Sequence, residues 1–303
     1  MTVNGFDQLK LQLFDLLKSQ KLHHANVISG KRGIGKASFI KQFCLEALGS
    51  LTDYHPNLKI IAKEENKSEI SIDAIRSLKN FINLTSADGD PKFIIIDSAC
   101  ELNHFASNAL LKNLEEPHQN NYFFLITHNL NMVIPTLRSR CGIIKIPEFN
   151  DIIFKKIISQ YQQFNDEETE FLMAISDKSP ALAIQYSQDL IRFYQLFLDS
   201  ILKQQINDEI LKKIALKNFS FIIIETIITT FFSRFIKNFH KLNHQSFFGD
   251  QEVFALLSLK FSLAQALDLA ESSTKNFKLI SEIYLDKKLF FINIFNKICY
   301  EKI

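Results

Sequence analysis

The chain has 303 residues, 47% of them hydrophobic, and a formal net charge of +2 at pH 7. This length and apolar content predict a globular protein with a substantial core and roughly two or three domains. The near-neutral charge argues against strong, sequence-independent attachment to nucleic acid, which needs a clustered surplus of Lys and Arg. Any DNA contact is therefore expected to be local.

Neither the cysteines nor the apolar stretches indicate export or a membrane span. The four cysteines lack the short paired spacings of a zinc site or a disulfide framework, so reduced thiols are expected. The N-terminus "MTVNGFDQLK" has neither a cationic start nor an apolar run. The most apolar stretch, 219–232, is shorter than the about 18 residues of a membrane span and includes Glu225, so it predicts a buried helix. We expect a cytoplasmic protein with no membrane partner.

The first half of the chain begins with a strand, a glycine loop and a helix. "HHANVISG" predicts a short strand that ends at the loop, and "KASFIKQFCLEALG" predicts a helix that follows it. Phe39 and Phe43 share one face of this helix, and Gly49 is a predicted C-terminal stop. The strand and helix around the loop make its glycine pattern more specific than an isolated match.

Further strands and helices alternate up to about residue 149. "LKIIAKE" is followed by an amphipathic helix, "ISIDAIRSLKNFINL", introduced by Ser71. Strands are then predicted at "KFIIIDSA", "NYFFLITHN" and "CGIIKIP", with the helix "HFASNALLKNLEEP" before the second of them. This alternation predicts a parallel sheet with crossover helices in 1–149. From Asn150 onward the pattern is helical, and it predicts a small helical domain in 150–187 and a larger one in 188–303.

The glycine loop "SGKRGIGKAS" is one residue short of a complete phosphate-binding loop. Gly30, Gly33, Gly35 and Lys36 can cradle phosphate groups, with the Lys reaching the β and γ oxygens. The last position of the pattern needs a hydroxyl for Mg²⁺, and Ala37 has none. The sequence therefore predicts phosphate binding without the metal ligand.

Asp97 closes an apolar strand and matches the acid that holds the metal in such proteins. The Glu that commonly follows and orients the attacking water is replaced by Ser98. Two hydrolytic parts are thus absent together, which indicates relaxed selection for hydrolysis. A loop that binds nothing and only connects a strand to a helix stays open as the alternative.

His23 and His24 precede the first strand and could be mistaken for metal ligands. Adjacent side chains at the start of a strand are expected to point in opposite directions, so a shared metal is not expected. Glu115 and Glu116 stand before Pro117 at a helix end, which predicts packing and hydrogen bonding rather than acid/base catalysis.

The chain resembles the delta-prime subunits of bacterial DNA polymerase III clamp loaders in three segments. These are "HHANVISGKRGIGKASFIKQF", "NALLKNLEEP" and "FFLITHNLNMVIPTLRSRC". The resemblance is clear over about residues 20 to 147 and is weaker beyond. It implies an α/β P-loop NTPase (AAA+-like) domain in 1–149, a helical lid in 150–187 and a helical C-terminal collar in 188–303.

Ser139-Arg140-Cys141 resembles the "SRC" motif of clamp-loader subunits, whose Arg reaches the ATP of a neighbour. A planar, always charged guanidinium suits that task on physical grounds too. The alternative for Arg140, and for the nearby Arg138, is a surface Arg in a solvated turn.

The resemblance also places a polar sensor at Thr127, at the end of a strand; a polar residue that caps a buried strand stays open as the alternative. Pro180 and Ala181 stand where active relatives carry Arg. Many family members carry a four-cysteine zinc module after the loop helix, but only Cys44 lies between Lys36 and Asp97, so no zinc or other metal site is predicted.

The resemblance implies a clamp-loader subunit with no polymerase active site and no autonomous ATPase activity, within the DNA-directed DNA polymerase holoenzyme. Its expected partners are gamma/tau-type and delta-type subunits, and the sliding clamp and primer-template DNA through the complex. Whether ATP occupies the loop is left open. The rival hypothesis is an autonomous P-loop ATPase or small-molecule kinase that tolerates Ala37.

Overall fold

The computed structural model describes residues 5–64, 67, 69–83, 89–216, 218–240, 245–283 and 286–300. The chain divides into two compact units, one of residues 1–157 with 179–181, and one of residues 158–178 with 182–303. The three-domain division at 149 and 187 stays a prediction.

The first unit contains a five-stranded sheet in the order β2-β3-β4-β1-β5. All strand pairs are parallel, with Val27 of β1 opposite Leu125 of β4 and Ile143 of β5. The sequence prediction of a parallel sheet is confirmed. The strands are β1 (Ala25–Ser29), β2 (Leu58–Ala62), β3 (Lys92–Asp97), β4 (Asn121–Thr127) and β5 (Gly142–Lys145).

The central strands are buried on both faces because helices cover both sides of the sheet. On one side, Ile94 and Phe123 belong to a core cluster with Leu110. On the other side, Phe43 packs edge-on against Phe124 at a centroid distance of 5.9 Å. The helices of this part are α1 (Asp7–Lys18), α2 (Lys36–Ala47), α3 (Ile72–Arg76), α4 (Leu78–Asn83), α5 (His104–Glu115) and α6 (Pro135–Arg138).

The amphipathic helix predicted after Ser71 is divided in the structure. It forms α3 and α4, which are interrupted at Ser77. The Ser77 hydroxyl donates to the Ala74 carbonyl at 2.6 Å, a local side-chain bond of the kind that competes with helix continuation. The hydrophobic periodicity predicted one continuous helix because it contains no signal for this break. The predicted helix end at Leu84 lies outside the described residues.

The remaining described chain is helical, as predicted from Asn150 onward. The apolar stretch at 219–232 lies largely in α11, whose Ile227, Ile228 and Phe231 are fully buried. No single described helix is long and apolar enough to cross a membrane; one pair, 250–258 with 263–275, passes that test only jointly and is bent by 116°. The helices are α7 (Asp151–Ser159), α8 (Asp166–Ile175), α9 (Pro180–Lys203), α10 (Asp208–Ile214), α11 (Phe221–Phe239), α12 (Asp250–Ser258), α13 (Leu263–Ile283) and α14 (Lys287–Cys299).

A buried ion pair lies inside the second unit. Arg234 of α11 donates to one Asp250 oxygen from Nε at 2.9 Å and from Nη2 at 2.7 Å. The Tyr194 hydroxyl of α9 donates to the same oxygen at 3.2 Å, and burial raises the Tyr194 pKa well above its usual value. Three helices therefore meet at one carboxylate that has no solvent exposure.

Candidate functional site

The glycine loop lies where the sequence predicted it, between the end of β1 and the start of α2. Gly33 has a φ of +74° and Gly35 a φ of +93°, a left-handed conformation that residues with a Cβ adopt at a cost. Gly35 occupies the N-cap position of α2, directly before Lys36. The two glycines thus allow the chain to turn sharply from strand to helix.

Lys36 is held inside this loop. Its Nζ donates to the Gly30 carbonyl at 2.7 Å and to the Lys31 carbonyl at 2.6 Å. The side chain is 7% exposed, and burial lowers the pKa of Lys36 from its usual 10.5 to about 8. The amine is therefore still mostly charged at pH 7, with its proton held less firmly than in water.

Asp97 is the last residue of β3 and reaches the same cleft as the loop. In the sheet order β3 lies two strands from β1, so its carboxyl end and the loop are at one edge of the sheet. Burial raises the pKa of Asp97, while the positive charge of Lys36 opposes that rise. Ser98, which stands where related ATPases commonly have Glu, donates its hydroxyl to the Ile126 carbonyl at 3.3 Å.

One cleft of about 410 Å³ brings several predicted residues together. Of the predicted binding residues, the cleft is lined by Gly33, Gly35, Lys36 and Asp97. It is not lined by Gly30 or Thr127. Its other lining residues are Arg32, Ala37, Ser38, Ala62, Lys63, Ser98, Glu101, Ile126, His128 and Ala181.

His128 and Arg32 were missed by the sequence analysis. His128 follows directly on β4, and its position at the carboxyl end of a parallel strand is the signal that could have identified it. Burial, Arg32 and Lys36 together lower the pKa of His128. The His128 Nδ1 lies 3.3 Å from the Cys100 sulfur.

A short segment from far along the chain, 179–181, lies against the glycine loop. The Ala181 amide donates to the Gly33 carbonyl at 3.2 Å. A Cβ on Gly33 would overlap the Ser179 hydroxyl oxygen. Of the two residues that stand where active relatives often carry Arg, Ala181 lines the cleft and Pro180 does not, and the missing sensor stays a prediction.

Thr127 ends β4 and is fully buried. Its hydroxyl donates to the Asn129 carbonyl at 2.9 Å and accepts from the Asn129 amide at 3.1 Å. Both contacts belong to the turn after the strand, and its role as a sensor stays a prediction.

The residues of the cleft fit a phosphate group better than they fit a catalytic metal. The loop glycines and the Lys36 amine match the donors that hold phosphate in such loops. Ala37 provides no hydroxyl for Mg²⁺, and the described part of the chain contains no cluster of three or more His, Cys, Asp or Glu side chains placed to hold a metal. Phosphate binding at this cleft without hydrolysis stays a prediction.

Arg140 lies outside this cleft, between α6 and β5, with 40% of its side chain exposed. Its Nη1 donates to the Thr136 carbonyl at 3.0 Å, and its Nη2 lies 2.8 Å from Glu115 Oε1. Arg138 is partly buried, and its Nη1 lies 3.5 Å from the Leu130 carbonyl. Of the two arginines, Arg140 is the one whose side chain is exposed.

The expectation that the His23 and His24 side chains point apart is wrong. Their ring centroids are 4.4 Å apart. Both residues precede β1, so the alternation of side chains in a strand does not apply to them. The His23 Nδ1 lies 2.7 Å from the Ala25 carbonyl oxygen and 3.2 Å from the Ala25 amide nitrogen, and the His24 Nε2 lies 3.0 Å from the Leu114 carbonyl oxygen.

A parallel sheet with a glycine loop between its first strand and the following helix, and an acid at the end of β3, defines a P-loop NTPase fold. Residues 6–150 match the family described as DNA polymerase III, delta subunit. The resemblance of the sequence to delta-prime subunits is confirmed as a similarity over this part of the chain.

Several individual relatives are delta-prime subunits of DNA polymerase III. The delta-prime subunit of Pseudomonas aeruginosa is 30% identical over 135 residues, which is 39% of this chain and 41% of that protein. The delta-prime subunit of Buchnera aphidicola subsp. Schizaphis graminum is 31% identical over 153 residues, 45% of this chain and 46% of that protein. The one from subsp. Acyrthosiphon pisum is 30% identical over 217 residues, 62% of this chain and 64% of that protein. The chain thus spans about half the length of the curated relatives it matches.

Among solved structures, a DNA polymerase III gamma subunit-related protein from Thermotoga maritima is similar at a TM-score of 0.49 and 16% identity. The alignment covers 97% of this chain and 100% of that one.

Proposed function

We propose that this chain is a delta-prime-type subunit of the DNA polymerase III clamp loader that acts in DNA replication. It completes the loader ring and supplies Arg140 to the ATP of a neighbouring subunit, with little or no hydrolysis of its own. The observation that carries the proposal is the position of Arg140 relative to the chain's own cleft.

The cleft and Arg140 lie at opposite ends of the strands of the same parallel sheet. The cleft forms where β1, β3 and β4 end, whereas Arg140 stands two residues before β5 begins. Gly142 of β5 is level with Asn26 of β1, and Arg140 lies in the turn just before β5. At about 3.3 Å per strand residue, the four residues from Asn26 to Gly30 span roughly 13 Å, and Arg140 lies beyond the amino end of that span. Arg140 therefore cannot serve this chain's cleft and is available to another molecule.

The cleft supports the second half of the proposal. Ala37 lacks the Mg²⁺ hydroxyl, and Ser98 cannot act as the carboxylate that orients water. The Ser98 hydroxyl also donates to a strand carbonyl rather than into the cleft. Hydrolysis in the assembly is then the task of neighbours, to which this chain contributes one guanidinium.

The partners follow from the family. A DNA polymerase III gamma subunit of Buchnera aphidicola subsp. Schizaphis graminum is 31% identical to this chain over 135 residues. Similar domains are suited to packing side by side in one ring. We accordingly include gamma/tau-type and delta-type subunits as direct partners in the cytoplasm, and the sliding clamp and primer-template DNA as partners of the whole complex.

The test reconstitutes the complex with wild-type, Arg140→Ala, Arg140→Lys and Arg138→Ala chains. Fingers of this type contribute about 10³ to 10⁵ in rate, so Arg140→Ala should lower DNA- and clamp-stimulated ATP hydrolysis at least 100-fold at the affected site. Lys should rescue poorly because a point charge does not reproduce the guanidinium fork. Assembly, followed by gel filtration, should be unchanged.

Three results would contradict the proposal. Full activity of an assembled Arg140→Ala complex would leave the chain a scaffold without a finger. A defect confined to Arg138→Ala would mean that the wrong arginine was chosen. Hydrolysis by the isolated chain that disappears in Lys36→Ala would favour an autonomous ATPase.

A further inference from the structure

The guanidinium of Arg140 is held by two helices that lie before it in the chain. Thr136 of α6 accepts from Nη1 through its carbonyl at 3.0 Å. Glu115, the last residue of α5, binds Nη2 through Oε1 at 2.8 Å. We propose that Glu115 is a positioning residue for Arg140, which orients its fork toward the neighbouring subunit's ATP; this inference rests on the function proposed above.

The two contacts fix orientation and leave donors for a ligand. A guanidinium carries five N–H groups in one plane, one on Nε and two on each Nη. Nη1 donates to the Thr136 carbonyl and has a longer contact of 3.4 Å with the Ser139 hydroxyl, and Nη2 forms an ion pair with Glu115 at 2.8 Å. At least two N–H groups, including the one on Nε, stay available to phosphate oxygens while Glu115 remains bound.

Local stability does not explain the carboxylate at this position. Glu115 lies at the C-terminal end of α5, where the helix dipole is negative and disfavours an acid. Its side chain is 48% exposed and that of Arg140 is 40% exposed, so their ion pair contributes little to folding. What the pair does achieve is the restriction of a long, otherwise mobile cation to one direction.

The adjacent residue offers a matched control. Glu116 is also exposed, also stands before Pro117, and has no ion pair within the described residues. Replacing either Glu with Ala removes one negative charge at the same place on the surface. Only Glu115→Ala releases Arg140.

The experiment measures ATP hydrolysis at saturating ATP, clamp and primer-template DNA by complexes assembled with each variant. We expect Glu115→Ala to lower the maximal rate about tenfold, since Arg140 then samples several rotamers. Glu115→Gln, which keeps an acceptor oxygen, should restore part of the loss, and Glu116→Ala should match wild type. In the Arg140→Ala background, Glu115→Ala should cause no additional loss, because it acts through the arginine.

The outcomes separate the two proposals. If Arg140→Ala lowers the rate but Glu115→Ala does not, the positioning role is overturned and the finger stands. An increased rate in Glu115→Ala would mean that Glu115 competes with ATP for the guanidinium, which also overturns it. An equal loss in both backgrounds would show that Glu115 acts independently of Arg140. No effect of Arg140→Ala would overturn both.

Discussion

Replacing Lys36 with Met should change how the stability of the chain depends on pH. Burial lowers the pKa of Lys36 from 10.5 to about 8. The unfolded chain therefore binds one more proton than the folded chain between these pH values, so the free energy of unfolding of the wild type rises with pH across this window. Met at this position has no proton to bind and lacks this contribution.

The magnitude follows from the size of the pKa change. One pKa unit corresponds to about 1.4 kcal/mol, so the charged amine costs the folded state about 3 kcal/mol below pH 8, and that cost disappears above pH 10.5. Between pH 7 and pH 10 the free energy of unfolding of the wild type should gain about 2 kcal/mol relative to Lys36→Met. The lost bonds to the Gly30 and Lys31 carbonyls affect the absolute difference between the variants more than its pH dependence.

Urea unfolding followed by circular dichroism at pH 7, 8, 9 and 10 measures this difference directly. Lys18→Met removes an exposed lysine at the end of α1 and serves as the control, since its ammonium is in water in both states. A constant offset between wild type and Lys36→Met over the whole pH range would refute the reasoning. It would mean that the Lys36 ammonium is solvated or paired well enough to keep its ordinary proton affinity.

Two further substitutions test the packing of each unit. Asp250→Asn should lower the free energy of unfolding by about 3 kcal/mol, because it leaves a buried arginine without a counter-charge, whereas Asp199→Asn, in an exposed helical pair, should cost less than about 1 kcal/mol. Equal losses in urea unfolding would contradict this. Gly33→Ala should cost at least about 1 kcal/mol more than Gly49→Ala, since both have positive φ but only the former meets the Ser179 oxygen. Equal melting temperatures for these two variants would show that segment 179–181 moves to accommodate the added methyl group without a cost in stability.

The features that the sequence predicted correctly depend on residues that are close together in the chain. Each strand is an apolar run of suitable length bounded by polar or turn residues, and "KFIIID" needs no distant partner to be recognised. The glycine loop was predicted from the spacing of its glycines and lysine, and the positive φ values at Gly33 and Gly35 explain why residues without a Cβ stand there. The order of strands and their parallel pairing then placed Asp97 beside the loop.

The features that the sequence did not predict depend on contacts between distant residues. Nothing near Gly33 indicates that Ala181 will donate to its carbonyl. The acid at the end of α5 was assigned to packing and hydrogen bonding, but its partner, Arg140, follows only 25 positions later, after a strand and a second helix. His128 lines the cleft because β4 ends there; its place directly after a strand was a usable signal, but the strand order that brings that end to the glycine loop depends on distant pairings.

The polarity of the parallel sheet explains how the cleft could lose hydrolytic groups while the arginine is kept. Residues that follow strands gather at the carboxyl edge, and Ala37 and Ser98 affect only that edge. Residues that precede strands gather at the opposite edge, where the ends of α5 and α6 hold Arg140. Substitutions more than about 10 Å apart with no shared partner act additively, so the two edges can change separately. A chain whose proposed task is to complete a neighbour's site needs only the second edge to stay intact, together with a sheet rigid enough to hold it in place.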